Sequence, residues 1–308
     1  MKNGVMPDIS TESRAELAMK LDQVGMSEIE MPVILKVAGE LPFRIPAKIS
    51  AFVSLDEPQA KGIHMSRLYL SLKEILGSET LSLKTTKHIL QKFIKDQKGL
   101  SERAYLKVSF ELPIERKALK SDQIGWRQYP VFLEGQLTGE KLAINMGVQI
   151  AYSSTCPCST ALAKQLIVDE FQNDFKDREI IKNLEIKEWL KQKALLATPH
   201  AQRSYADIKV KLDINAIAPD FVEVIDLVEE ELKTVVQAAV KREDEQEFAR
   251  LNGENNMFCE DACRKIKKAL NSDQRFLDYK IVVSHQESLH PHNAVSGAVK
   301  GIEGGFQF

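Results

Sequence analysis

The chain has 308 residues, with 42 Lys and Arg against 44 Asp and Glu, which gives a formal net charge of −2. This balance provides no electrostatic basis for binding nucleic acid or a membrane surface. No apolar run reaches the roughly 20 residues of a membrane-spanning helix, and the N-terminal sequence has no apolar signal core, so we expect a cytoplasmic protein.

The first half of the chain predicts two strands, two helices and further strands. Residues 1–25 are polar and are expected to form a flexible lead-in. The strand candidates are residues 33–37, 47–55, 105–112, 130–135 and 142–152, and the helix candidates are residues 68–75 and 85–94.

The second half predicts a related set of elements. Residues 161–196 form a charge-rich helical stretch whose apolar residues we expect to face the core: Leu162, Leu166, Phe171, Ile180, Leu184 and Leu190. The remaining candidates are a strand at 205–212, an amphipathic helix at 221–240, a helix at 257–270 and a strand at 278–284. Strands interrupted by helix pairs, without strict βαβ alternation, predict an α+β fold with antiparallel sheets.

The sequence Cys156-Pro157-Cys158 is the strongest chemical signal in a chain that has only four cysteines. A disulfide between residues i and i+2 would be strained, because bridged Cα atoms usually lie about 4.4–6.8 Å apart with specific dihedral angles. A metal ligand, a nucleophile or ordinary packing remain as interpretations, and the first two are favoured. Cys259 and Cys263 lie four residues apart on an apolar helix face, which indicates small buried side chains.

Histidines and acidic residues at the ends of predicted elements could act together with these thiols. His200 precedes one predicted strand, and His290-Pro291-His292 follows Glu287 after the last strand. Thiolate, imidazole and carboxylate groups are the ligands that suit zinc or a similar first-row metal. Taken singly, however, His200 is more typical of a structural histidine, and a glutamate in the charged run 241–247 is more typical of a solvated helix face.

Six motifs in a fixed order resemble the GTP cyclohydrolases of type IB, prokaryotic enzymes that open the pterin pathway to tetrahydrofolate. The motifs are Gly62-Ile63-His64-Met65-Ser66-Arg67, Cys156-Pro157-Cys158-Ser159, His200-Ala201-Gln202-Arg203-Ser204, Lys241-Arg242-Glu243-Asp244-Glu245, Phe258-Cys259-Glu260-Asp261 and Glu287-Ser288-Leu289-His290-Pro291-His292. The resemblance implies the α+β tunnelling fold (T-fold), as two fused modules of antiparallel sheet with paired helices. We expect the modules at residues 26–155 and 156–308, with a helical insertion at about 161–197.

The resemblance also implies an activity, a metal and an assembly. The activity is that of a hydrolase, which converts GTP and water to 7,8-dihydroneopterin triphosphate and formate. One divalent metal, which is zinc, manganese or ferrous iron, is expected on Cys156, His200 and Glu245. The subunits are expected to form a homotetramer with active sites at their interfaces.

The same resemblance assigns the remaining site residues. Glu260 is expected to bind guanine, because a carboxylate can accept hydrogen bonds from N1–H and from the 2-amino group. Arg203 and Arg67 are expected to contact the triphosphate, since guanidinium groups match phosphate geometry. The other catalytic residues are Glu287, His290 and His292 beside Cys156, and Cys158 is expected among the substrate-binding residues.

The sequence departs from the family pattern in ways that keep alternatives open. About forty residues separate the Cys-Pro-Cys from the histidine motif, whereas the spacing in the family is usually short. In the motif at residues 241–245, Glu243 stands where the family usually has a proline. One alternative is the archaeal-type cyclohydrolase, which makes a 2′,3′-cyclic phosphate. The others are a T-fold enzyme of another reaction class, such as a nitrile reductase, and a non-catalytic purine-binding or metal-stabilised protein.

Overall fold

The computed structural model describes residues 14–308, in which eight strands form one antiparallel sheet. The strands follow chain order across the sheet and are β1 (Leu21–Leu35), β2 (Phe43–Leu55), β3 (Arg103–Lys117), β4 (Ile124–Thr138), β5 (Lys141–Thr155), β6 (Ala201–Leu212), β7 (Phe276–His285) and β8 (Ala294–Val299). The helices are α1 (Met65–Leu76), α2 (Leu83–Asp96), α3 (Pro157–Phe175), α4 (Asn183–Lys193), α5 (Phe221–Leu232), α6 (Arg242–Glu254) and α7 (Cys259–Ser272). No helix within residues 14–308 has the length and apolar character needed to span a membrane.

One face of the sheet carries the apolar core, because alternate residues of each strand point to the same side. Val148 of β5 lies opposite Ile208 of β6, which in turn lies opposite Ile281 of β7, and all three side chains are buried. Helices α1 and α2 pack on the first strands, while α5 and α7 pack on the later ones. The buried side chains form a single cluster that runs under both halves of the sheet.

The order of elements repeats, which confirms the predicted α+β fold of paired helices and antiparallel strands. The first half reads β1, β2, α1, α2, β3, β4, and the second half reads β5, β6, α5, α7, β7, β8 once the inserted helices α3 and α4 and the additional helix α6 are set aside. The predicted modules at residues 26–155 and 156–308 stay a prediction, since β5 pairs with both β4 and β6 in one continuous sheet.

The predicted lead-in is shorter than expected. Residues 1–13 lie outside the described part of the chain, and β1 begins at Leu21, inside the predicted range of 1–25. β1 also continues as far as Leu35, so that it pairs along the full length of β2.

The insertion between β5 and β6 is helical, but the prediction that its apolar residues face the core is wrong for most of them. Their side chains are 51–83% exposed at Leu162, Leu166, Ile180, Leu184 and Leu190. The insertion instead has a small aromatic cluster of its own, in which the ring of Phe171 lies 4.8 Å from Phe175 and 5.0 Å from Trp189 between centroids. Helices α3 and α4 therefore pack on each other instead of on the sheet.

Helix α5 ends at Leu232, although its hydrophobic pattern predicts a helix over 221–240. Lys233 has a φ of 62°, a left-handed conformation that a continuing α-helix does not allow. The following segment runs beside β5, where the Ser153 amide donates a 2.8 Å hydrogen bond to the Thr234 carbonyl. This segment provides partners for backbone groups of β5 beyond the point where β4 stops pairing with it.

Asp244 anchors the start of the helix that carries the predicted ligand Glu245. Its carboxylate is fully buried and accepts hydrogen bonds from the Lys120 amide at 2.7 Å, from the Ser121 amide at 2.8 Å and hydroxyl at 2.5 Å, and from the Lys241 amide at 2.8 Å. Burial alone raises the pKa of this carboxyl, but the hydrogen bonds outweigh it, so the pKa lies below its usual range. Asp244 thus joins α6 to the turn between β3 and β4.

We predict that Asp244→Ala lowers the melting temperature by roughly 5 °C or more, because it leaves buried amide donors without partners. The matched control is Glu243→Ala, since Glu243 is the exposed neighbour in the same helical turn, and we expect little change there. Thermal unfolding followed by circular dichroism measures both. Equal melting temperatures for the two variants would contradict the anchoring role.

Candidate functional site

The end of β5 and the start of β6 bring two predicted metal ligands together. Cys156 directly follows β5 and His200 directly precedes β6, and the pair Thr155–Ala201 closes the ladder between these strands. The Cys156 amide donates a hydrogen bond of 3.2 Å to the His200 carbonyl. Two residues separated by more than forty positions in sequence are therefore neighbours in the fold.

The turn into helix α3 sets the position of the thiols. Cys156 is the N-cap residue of α3, and Pro157 occupies the first helical position. The N–H group at that position takes part in no intrahelical hydrogen bond, so a proline, which has no N–H, fits there without loss. Ser159, in the first turn, accepts a 3.1 Å hydrogen bond from the His200 amide. Both cysteines are free thiols, with Cys156 half-buried and Cys158 exposed.

Glu287 lies beside His200. Its carboxylate oxygen Oε2 is 3.7 Å from His200 Nδ1, and the two side chains are 13% and 20% exposed. The backbone holds this position, because the Gln286 amide donates to the Arg203 carbonyl at 3.0 Å where β7 ends. The structure thus brings together Cys156, His200 and the predicted catalytic residue Glu287.

Glu260 reaches the same strand end through the start of helix α7. The Met257 amide donates a 3.2 Å hydrogen bond to the Thr155 carbonyl, one residue before Cys156. Glu260 lies in the first turn of α7 with an exposed side chain, and the Cys259 thiol donates to its Oε2 at 3.3 Å. A backbone amide and this thiol lower the pKa of the Glu260 carboxyl, which favours an ionised hydrogen-bond acceptor.

A buried histidine beneath the site is a feature that the sequence analysis missed. The ring Nε2 of His285 lies 2.8 Å from the Tyr152 hydroxyl, and both side chains are buried. Burial lowers the pKa of His285 to about 4, while the nearby Glu260 carboxylate acts in the opposite direction. The alternation of buried residues 279, 281 and 283 along β7 is the sequence signal that places His285 on the core face.

Within residues 14–308, Glu245 forms no hydrogen bond, ion pair or three-residue ligand cluster with Cys156 and His200. Its side chain is exposed in the first turn of α6, whereas Asn252, seven residues later, accepts a 2.6 Å hydrogen bond from Ser153 near the end of β5. At the helical rise of 1.5 Å per residue, Glu245 lies about 10 Å from Asn252 on the same face of α6.

Two of the three predicted ligands, Cys156 and His200, are of types that fit a metal site and lie at neighbouring positions. Within residues 14–308, no three His, Cys, Asp or Glu side chains form a cluster that could hold a metal ion. Cys156 and His200 fit such a site as an adjacent thiol and imidazole. The participation of Glu245 stays a prediction.

The remaining predicted residues lie on separate elements. Arg203 is exposed on β6, three residues after His200, on the face opposite the buried side chains of Gln202 and Ser204. Arg67 is on α1, which packs on β1 and α2, and its guanidinium donates to the Asp96 carbonyl at 2.6 Å. The rings of His290 and His292 stack on each other at 5.0 Å in the exposed connection between β7 and β8. The roles assigned to these four residues stay predictions.

Comparison with known proteins decides the family. A family model described as "Type I GTP cyclohydrolase folE2" matches residues 6–296. The chain belongs to the type I GTP cyclohydrolase family. Among its relatives, GTP cyclohydrolase FolE2 of Pseudoalteromonas translucida (strain TAC 125) is 49% identical over 303 residues, covering 98% of this chain and 100% of the relative. GTP cyclohydrolase FolE2 of Bdellovibrio bacteriovorus is 46% identical over 299 residues, covering 97% of each chain.

Solved structures support the fold of this type I GTP cyclohydrolase family member. Uricase from Arthrobacter globiformis superposes with a TM-score of 0.52 at 8% identity, covering 96% of this chain and 98% of that chain. Urate oxidase from Bacillus sp. TB-90 superposes with a TM-score of 0.51 at 9% identity, covering 90% of this chain and 98% of that chain. At these identities the likeness concerns the fold alone, and it confirms the predicted T-fold.

We predict that His285 makes the stability of the fold depend on pH. In the unfolded chain the His285 ring binds a proton at the ordinary pKa of 6.5, whereas in the native state it does so only near pH 4. The free energy of unfolding therefore decreases as the pH is lowered from about 6.5 towards 4. Between pH 7 and pH 5 this loss amounts to about 2 kcal/mol. His285→Gln keeps a polar partner for Tyr152 but does not titrate, so its free energy of unfolding should fall less over this range. Urea unfolding at pH 5, 6 and 7 measures the difference, and identical pH dependence in both proteins would refute it.

Proposed function

We propose that the chain is a metal-dependent GTP cyclohydrolase, which converts GTP and water to 7,8-dihydroneopterin triphosphate and formate in tetrahydrofolate and pterin biosynthesis. The observation that carries this proposal is the placement of Cys156, His200 and Glu287 where β5 ends, in a chain of the type I GTP cyclohydrolase family: the Cys156 amide donates to the His200 carbonyl, and Glu287 Oε2 lies 3.7 Å from His200 Nδ1. The start of α7, which carries Glu260, is attached to the same strand end by the hydrogen bond from the Met257 amide to the Thr155 carbonyl.

Cys156, His200 and Glu245 are the residues that would hold a divalent metal, which is zinc, manganese or ferrous iron. When bound, such an ion acts as a Lewis acid and supplies activated water near neutral pH, as opening the imidazole ring of GTP at C8 requires. The contact between Asn252 and Ser153 supports the inclusion of Glu245, since it holds the same helix against β5.

Glu260 is the proposed anchor for guanine. An ionised carboxylate accepts two hydrogen bonds from guanine N1–H and the 2-amino group, whereas adenine offers no donor at N1. The helix start that lowers the pKa of Glu260 keeps this carboxylate charged and pointing away from the core. The anchoring of Met257 to Thr155 keeps the guanine site next to Cys156.

His290 and His292 are proposed to move protons during hydration, C–N cleavage and ribose rearrangement. Imidazole groups exchange protons near neutral pH, and these rings lie in the connection that also carries Glu287. Arg203 is proposed as a phosphate contact because it is exposed three residues after His200 and guanidinium groups match phosphate geometry. Cys158, exposed in the first turn of α3, is proposed as part of the substrate-binding wall.

The proposed assembly is a cytoplasmic homotetramer with sites at its subunit interfaces. Arg67 supports this proposal, because it lies on α1, which packs on β1 and α2, whereas Cys156 and His200 lie at the ends of β5 and β6. A site between subunits would let the Arg67 of a neighbouring copy reach the triphosphate.

We predict that Cys156→Ala abolishes binding of the divalent metal and lowers the rate of formate release by about 100-fold or more, because it removes the thiolate that would hold the Lewis acid. The matched control is Cys263→Ala, which alters a buried thiol of α7 and should keep metal and activity. Metal content and formate release from GTP measure both variants. A fully active Cys156→Ala protein would refute the metal role, and a 2′,3′-cyclic phosphate product would refute the proposed product.

We predict that Glu260→Gln raises the KM for GTP by about 10- to 100-fold, since charge-assisted hydrogen bonds to guanine are lost. The preference for GTP over inosine triphosphate, which lacks the 2-amino group, should fall as well. Steady-state kinetics with both nucleotides tests this, with Glu243→Gln as a control at an exposed glutamate. Unchanged KM and unchanged preference would exclude Glu260 as the guanine anchor.

A further inference from the structure

The Nδ1 atom of His200 faces two hydrogen-bond acceptors. Gln202 Oε1 lies 2.9 Å from it and Glu287 Oε2 lies 3.7 Å from it. The other ring nitrogen, Nε2, has no hydrogen-bond partner among residues 14–308. The ring is thus held from one side only.

A buried chain of polar side chains continues behind Gln202. The Gln202 amide nitrogen lies 2.9 Å from the Ser154 hydroxyl, which lies 2.7 Å from the Ser204 hydroxyl. Gln202 is 8% exposed and both serines are fully buried. Ser154 and Gln202 are direct partners across the β5–β6 ladder, so the strand register fixes the chain.

Taken alone, this chain allows two arrangements of its protons. In the first, His200 Nδ1–H donates to Gln202 Oε1, the Gln202 amide donates to Ser154, and Ser154 donates to Ser204. In the second, the Gln202 side-chain amide is flipped, so that its NH₂ group donates to an unprotonated Nδ1 and its oxygen accepts from Ser154, Ser204 donates to Ser154, and the His200 proton is on Nε2. Both arrangements satisfy the same heavy-atom distances, because hydroxyl and amide groups can donate and accept.

The carboxylate of Glu287 decides between the two proton arrangements. An ionised carboxylate accepts hydrogen bonds but cannot donate them. At 3.7 Å it attracts an N–H group at Nδ1 and repels a lone pair there. The first arrangement is therefore favoured, and the lone pair of the neutral ring is left on Nε2.

We propose that Gln202 and Glu287 are positioning residues that hold neutral His200 in the Nδ1–H tautomer and so present Nε2 as the metal-ligating nitrogen. The metal-binding part rests on the proposed function, but the tautomer itself does not. Metal-binding histidines commonly donate their second ring N–H to an acceptor that fixes the ring. Glu287 accordingly acts through His200, which differs from the direct catalytic role that the family resemblance implies for it.

The tautomer can be measured in metal-free protein labelled with ¹⁵N-histidine, at a pH at which the His200 ¹⁵N chemical shifts report a neutral ring. Long-range ¹H–¹⁵N correlations distinguish the two tautomers, and His200→Gln identifies the His200 signals. We expect Nδ1–H to dominate in the wild-type protein. Gln202→Leu and Glu287→Gln should each raise the Nε2–H population, whereas Gln202→Glu, which retains an acceptor, should preserve Nδ1–H.

Zinc affinity, measured by competition with a chromogenic chelator, gives the second readout. Gln202→Leu should weaken binding by about 10- to 100-fold, and Gln202→Glu should stay within a few-fold of wild type. Circular dichroism checks that each variant is folded. A dominant Nε2–H tautomer in the wild type, or an unchanged tautomer in both Gln202→Leu and Glu287→Gln, would overturn the proposal. Nδ1–H dominance without zinc binding would support the tautomer and refute the proposed metal role instead.

Discussion

The pairing of β5 with β6 is the constraint on which the candidate site depends. Its last pair, Thr155 with Ala201, places Cys156 and His200 side by side although a helical hairpin separates them in sequence. Because side chains alternate along a strand, a shift of one residue in this register would turn the two residues to opposite faces. The same register also aligns Ser154 with Gln202, so the support for the His200 ring and the ring itself are fixed together.

The loops and helices around this ladder attach to it by backbone hydrogen bonds. Met257 binds Thr155, Gln286 binds Arg203, and the segment after α5 binds Ser153. Each attachment brings in one element that ends near the site, which is how residues from four parts of the sequence meet. Backbone bonds of this kind leave side chains free for chemistry, since positioning is done by groups that every residue has.

Much of the fold follows from the sequence, because alternation along strands such as β5 and β6 is a local property. The extent of α5 does not follow, since its apolar pattern continues past Lys233 while the backbone leaves the helix there. The orientation of α3 was also mispredicted. Its leucines have helical spacing, but the sequence does not tell whether an apolar face packs on the sheet or stays exposed.

The sequence predicts which types of residue occur at the candidate site, but it does not predict which of their side chains are in contact. The ordered motifs predict Cys156, His200 and Glu260 as site residues, yet they give no indication that Glu287 lies against His200. His285 was overlooked because a histidine carries no hydrophobic signal, although its place on β7 puts it on the core face. Long-range geometry of this kind depends on strand register, which the motifs do not encode.

X-ray absorption at the zinc edge of the zinc-loaded protein shows whether Cys156 binds the metal. We expect one sulfur ligand at about 2.3 Å together with nitrogen or oxygen ligands at about 2.0–2.2 Å, and loss of the sulfur contribution in Cys156→Ser. A zinc site without sulfur, or one that keeps its sulfur in Cys156→Ser, would contradict this expectation.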